Sequence, residues 1–101
     1  MKEETTTLIN SDSLEASVQL LRAVTHPLRM KILRFIHENK KVNVNKIFAG
    51  LSIEQSIASQ HLKILRAEDL VSTTKKGTFI FYTVNYKKLE TVIGSVQKFL
   101  E

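Results

Sequence analysis

Between Leu51 and Val71 apolar residues recur at the spacing of one helix face, and the opposite face is free of negative charge. At about 100° per residue, Ile57, Ala58, His61, Ile64 and Leu65 fall on one side with Leu62 at its edge. Gln55, Ser56, Ser59, Gln60 and Lys63 gather on the other, and no carboxylate lies between Glu54 and Glu68. An ordinary solvated face mixes Glu with Lys. Two amides, two hydroxyls and an ammonium are groups that can enter a phosphate-lined groove and hydrogen-bond to base edges. The bland alternative is a polar surface helix whose acids happen to be absent, and only the rest of the chain decides between the two.

Charge is divided along the chain in the same sense. Residues 1–21 hold one basic and four acidic residues, a net of −3, whereas residues 22–88 hold 13 basic and 4 acidic residues, a net of +9. Residues 89–101 return to −1, giving +5 for the 101 residues. A basic middle between acidic ends is the electrostatic pattern of a nucleic-acid binder, although membranes and acidic proteins also attract basic patches. The length suits one domain with one modest core. Cysteine is absent, which removes disulfides, thiolate metal sites and thiol sensing within these residues. No apolar run approaches the roughly 18 residues of a membrane span, and the N-terminus is acidic rather than signal-like. Together these features point to a cytoplasmic protein with no membrane partner.

Residues 1–11 are polar and Thr-rich and read as a disordered N-terminal tail, leaving residues 12–101 as the folded domain. Asp12 and Glu15 suit a helix N-terminus, and Leu14, Val18, Leu21 and Ala23 supply the first helix with an apolar face. Pro27 suits the first position of a second helix. That helix carries Leu28, Ile32, Leu33 and Ile36 inside, with Arg29, Lys31 and Arg34 outside, and ends at Asn39-Lys40-Lys41. A short extended entry at Val42–Val44 precedes a third helix over Asn45–Ala49, which Gly50 stops. Ser52 then caps the fourth helix with Gln55 reaching back. Past Val71 the period changes. Ser72–Lys76 and Thr78–Val84 form a hairpin turning at Lys76-Gly77, with Lys75 and Lys76 at its tip and at least one face of its second strand covering the helices. A last helix, Tyr86–Leu100, aligns Leu89, Val92, Ile93, Val96 and Leu100.

The predicted fold is therefore mainly α: a winged helix-turn-helix of about five helices plus a two-stranded wing. His26-Pro27-Leu28-Arg29-Met30-Lys31-Ile32-Leu33, Ser59-Gln60-His61-Leu62-Lys63-Ile64-Leu65, Leu70-Val71, and Gly77 with Tyr82 resemble the ArsR-type (ArsR/SmtB) winged-helix repressors over residues 14–100. The resemblance implies a homodimer on a twofold-symmetric operator of double-stranded DNA, blocking transcription. It places the fourth helix in the major groove, with Gln55, Ser56, Ser59 and Gln60 reading bases. Lys63 and the wing residues Lys75, Lys76 and Thr78 are then supporting contacts. It also implies dimerisation through the first and last helices, by Leu14, Val18, Leu21, Leu89, Val92, Ile93, Val96 and Leu100.

The sequence departs from metal-sensing members, because their Cys-Val-Cys segment reads Asn43-Val44-Asn45 here, and carboxamides do not replace thiolates as soft-metal ligands. No metal and no cofactor is expected. His61 sits on the inner side of its helix as a packing or hydrogen-bonded residue, His26 serves the break at Pro27, and no residue set reads as a catalytic triad or phosphate loop. A monomer in which the terminal helices cover one core is one alternative. A winged-helix interaction module without DNA affinity is another, although such a surface calls for a larger apolar patch than the fourth helix offers.

Overall fold

Pro27 sets the first corner. The computed structural model describes the backbone of residues 11–100 and side-chain environments over residues 15–94. Helix α1 (Ser11–Thr25) stops, His26 is extended, and α2 (Pro27–Asn39) starts with the proline at its first position. Pre-proline sterics and the fixed proline φ favour this arrangement, and His26 Nδ1 accepts the free Leu28 N–H at 3.2 Å. The expected tail over residues 1–11 lies outside the described residues except for Ser11, which is already helical. Asp12, expected at the helix N-terminus, is therefore already inside α1, and its side chain, like that of Leu14, lies outside the described residues.

Helix α2 ends where Lys40 turns left-handed at φ 66°. The chain then passes through β1 (Val42–Asn43), α3 (Val44–Leu51), α4 (Gln55–Ala67), β2 (Val71–Lys76), β3 (Phe79–Val84) and α5 (Tyr86–Leu100). The extended entry is a true strand: Val42 pairs with Tyr82 and Asn43 with Phe81. The sheet accordingly has three antiparallel strands in the order β1-β3-β2, rather than the two expected. Val42, 1% exposed, gains a core position by joining it.

The α3–α4 corner differs from the expected one. Asn43 caps α3, its Oδ1 accepting the Lys46 N–H at 2.9 Å, so the helix begins before Asn45. Gly50 does not stop it. A Cβ at Gly50 would sit 2.5 Å from two ring atoms of Phe35, so glycine is needed there for the approach of α2 to α3. The left-handed residue is Ser52, at φ 54°, the C-cap of α3. Ser52 is thereby unavailable to α4, whose N-cap is Glu54 without a side-chain hydrogen bond. Gln55 is thus not tied into the expected capping box.

One cluster of buried side chains joins every helix to the sheet. Ile32, Ile36, Ile47, Leu65 and Leu70 are wholly buried, and Val84 and Val92 bring in β3 and α5. Each fully buried branched side chain contributes about 1.5–3 kcal/mol. Asn85 fastens the hairpin's base: its N–H donates to Leu70 O at 2.9 Å and its Nδ2 to Asp69 O at 2.8 Å. Its Oδ1 accepts the Lys88 N–H at 3.3 Å, capping α5. At the other end Lys76 pairs with Phe79, leaving Gly77 and Thr78 as a two-residue loop one step beyond the expected turn. Positive φ at Gly77 (65°) but not at Thr78 is the pattern of a type II′ hairpin, which glycine accommodates without strain.

Gly50→Ala should destabilise the protein by about 1–3 kcal/mol through overpacking against Phe35. In a Phe35→Ala background the same change should instead stabilise by up to about 1 kcal/mol, the helix preference of alanine over glycine. A double-mutant cycle in urea checks the reversal of sign.

Candidate nucleic-acid interface

Helix α4 follows the three-residue corner after α3 and turns its two faces as its sequence dictates. Ala58, Leu62 and Leu65 are buried, and Ile57, His61 and Ile64 are half-buried beside them. Gln55, Ser56, Ser59, Gln60 and Lys63 are all exposed. Arg66, which the sequence reading left out, stands exposed on the same side and was findable from the same 100° spacing. The face thus offers two cations, two hydroxyls and two amides over 13 residues without an acid. In the wing Lys75, Lys76 and Thr78 are exposed. The structure holds the helix residues on one face and the three wing residues around one turn.

Beside the buried Ala58, Leu62 and Leu65, a polar tie from Arg29 holds α4 to the other helices. The sequence reading put this side chain outside; it is 9% exposed. Its Nε donates to Ala23 O at 3.0 Å, a carbonyl left open because Pro27 has no N–H, and its Nη2 to Arg22 O at 3.2 Å, which also accepts the His26 N–H. Nη1 lies 3.2 Å from His61 Nδ1 on α4. Arginine offers only donors, so Nδ1 must accept and the His61 proton sits on Nε2. The spacing Arg29, Ile32, Leu33, Ile36 is that of an inward face, a signal its charge concealed.

His61 is therefore a hydrogen-bonded packing residue, with the His26 ring 4.8 Å away. Burial, then the neighbouring His26 and Arg29, hold its pKa below the ordinary 6.5. Beneath the wing, Tyr86 and His37 Nδ1 lie 2.7 Å apart at the mouth of an open groove of about 270 Å³ lined also by Leu33, Arg34, Val84 and Leu89. Among the described residues no three His or acidic side chains converge as metal ligands, and no helix is long and apolar enough to cross a membrane. Asn43, at the first position of the metal-sensing segment of other members, is occupied as the α3 cap.

Of the expected dimer residues, Val18 and Leu89 are half-buried, Leu21 is 37% exposed and Ile93 51% exposed. Val92, 4% exposed, belongs to the chain's own core, while the side chains of Leu14, Val96 and Leu100 lie outside the described residues.

The sequence profile of the bacterial regulatory proteins of the arsR family matches residues 26–73, from the His26 cap to the first half of β2. The transcriptional repressor PagR of Bacillus anthracis is 36% identical over 81 residues, covering 80% of this chain and 81% of PagR. The chain belongs to the arsR family. The crystal structure of PagR superposes with a TM-score of 0.68 at 34% identity, over 83% of this chain and 95% of that one. NolR from Sinorhizobium fredii gives a TM-score of 0.74 at 27% identity over 89% of each chain. The transcriptional activator HlyU of Vibrio cholerae is 34% identical over 77 residues, 76% of this chain and 70% of HlyU. This arsR-family chain is a DNA-binding transcriptional regulator with a winged helix-turn-helix fold.

The lowered pKa of His61 has a direct thermodynamic consequence. Below pH 6.5 the unfolded chain binds this proton more readily than the folded one, so stability rises with pH across that window and is lost as pH falls through it. Denaturant titrations from pH 7.5 to pH 5 should show this decline. His61→Gln, which keeps an acceptor for Arg29 but cannot titrate, should make the decline smaller.

Proposed function

We propose that the protein acts as a homodimeric repressor, occluding a promoter by binding a twofold-symmetric operator. The exposed, carboxylate-free face of α4 carries this reading. Gln55 and Gln60 are suited to bidentate pairing with adenine, and Ser56 and Ser59 to bases or phosphates. Lys63, Lys75 and Lys76 are point charges for phosphates, adding affinity with little choice of sequence, and Thr78 is a backbone-positioning contact.

Dimerisation is supported by physical need and by the exposed apolar residues on the terminal helices. One winged helix reads few base pairs, each contributing about 1–3 kcal/mol of discrimination. Two copies with recognition helices about 34 Å apart double that readout through symmetry. Among the described residues, Leu21 of α1 and Ile93 of α5 are exposed apolar side chains, with Val18 and Leu89 half-buried on the same helices and Leu14, Val96 and Leu100 completing the stripes in sequence; Val92 supports the seam from within. Relatives bear the names of both a repressor and an activator, so the sign of regulation follows from where the operator lies relative to the promoter. Repression is the simpler outcome, since occlusion needs no contact with polymerase. Any ligand that changes the angle between the two recognition helices would release the operator. The protein works in the cytoplasm, and needs neither metal nor cofactor to bind DNA.

A mobility-shift series with fragments retained from genomic DNA, run at several salt concentrations, tests this reading. Specific binding that weakens steeply with salt is expected, whereas no binding at low salt would instead make the fold an interaction module. Gln60→Ala should relax sequence preference more than it lowers non-specific affinity. Lys76→Ala should weaken all sequences alike and flatten the salt slope by about one unit.

A further inference from the structure

The wing ends in apolar surface that the core does not use. Along β3 the side chains of Ile80, Tyr82 and Val84 share the inner face, and burial falls away toward the turn: Val84 is 8% exposed, Tyr82 is half-buried and Ile80 is 41% exposed. On the outer face Phe79 is 51% exposed, its ring 6.4 Å from that of Phe81, over which Lys41 Nζ stands at 5.6 Å. Strand β1 pairs only with Phe81 and Tyr82, so Phe79 and Ile80 project past the three-stranded part of the sheet. Lys76 stands opposite Phe79 and Lys75 opposite Ile80. No carboxylate occurs from Leu70 to Leu89.

Exposed hairpin ends are normally kept polar, since large apolar side chains there invite association. Just behind the polar Gly77-Thr78 turn, this end carries one large exposed apolar side chain on each face, with a lysine directly across the ladder from each. Its chemical complement is a surface with closely spaced anions on either side of an apolar slot, which is the minor groove of a duplex with its stacked bases. There an apolar side chain enters between base steps, partly unstacks them and bends the helix, while lysines hold the flanking phosphates. The wing also follows α4 by only three residues, so it lies next in the chain to the face that reads the major groove.

We propose that Phe79, on the outer face just behind the turn, is a wedge that the wing drives into the minor groove beside the bases read by α4, with Ile80 on the opposite face packing against the groove wall. The operator is thereby selected partly through ease of kinking, and a flexible TA or CA/TG step lies beneath each wing. This rests on the DNA-reading role given to α4 above. A hairpin end with only polar side chains would touch phosphates and leave the flanking sequence unread; a large apolar side chain just behind the turn makes deformability part of the site.

Selection from a random duplex library by the full chain and by Phe79→Thr/Ile80→Thr tests this, with end-to-end energy transfer on the selected duplex reporting bend. Threonine keeps strand preference, and both positions are exposed, so the fold should survive; Ile80→Thr alone serves as a second variant. The unaltered chain should enrich a flexible step outside the bases chosen by α4 and bend the duplex by tens of degrees. The double variant should lose that step and the bend, keep the α4-chosen bases, and bind on the order of tenfold more weakly. Identical flanks and bend in both proteins would overturn the wedge while leaving the α4 reading intact. Failure of the unaltered chain to select any sequence would overturn both. A change in the free protein's sedimentation on substitution, with DNA behaviour unaltered, would overturn the wedge by making the tip a contact between copies.

Discussion

The Arg29 guanidinium is the joint on which the arrangement of helices depends. It is nearly buried, and its hydrogen bonds run to the Arg22 and Ala23 carbonyls at the end of α1 and to His61 on α4. A buried cation is costly unless its donors are met, and a planar fork with fixed directions meets them in one geometry only. One side chain therefore ties the end of α1 to α2 and to the inner side of α4, on which Ala58, Leu62 and Leu65 are also buried. With His61 and Leu65 held inward, Gln55, Ser59 and Gln60 have nowhere to face but solvent.

Outside that joint the molecule separates affinity from choice. Lysines on α4 and the hairpin supply charge that any duplex would satisfy, and their contribution falls with salt. Amides and hydroxyls on α4 supply direction, because a misplaced hydrogen bond at a base edge costs more than a misplaced charge near a phosphate. The corner between α3 and α4 keeps these tasks apart. Since Ser52 closes α3 and Glu54 starts α4 without a side-chain bond, Gln55 is left to face outward from the first turn.

Helix positions and the two faces of α4 were legible because period and charge agreed there. The hairpin was legible from the switch to Thr, Phe, Ile and Tyr around Gly77. Where sequence reasoning erred, one residue had two plausible uses and only a distant neighbour decided between them. Gly50 resembled a helix stop, but Phe35, fifteen positions earlier, needs the space its missing Cβ leaves. Arg29 carried an outward charge on an inward position, and the carbonyls that draw it in belong to another helix. Strand β1 is two residues long, too short for any period, and exists only through its pairing with β3. Val92 matched the stripe of α5 yet turns into the chain's own core.

The central physical claim is that the outer side of α4 is kept free of carboxylates because it lies against a polyanion. Ser59 is exposed in the middle of that side, so Ser59→Glu adds one negative charge without disturbing the core. The most direct measurement is the dissociation constant of this variant for a duplex selected by the unaltered protein, alongside the unfolding midpoint of both. Like charges juxtaposed at an interface cost several kcal/mol, so affinity should fall by about a hundredfold or more with the midpoint nearly unchanged. Equal affinity of the two proteins would contradict the claim.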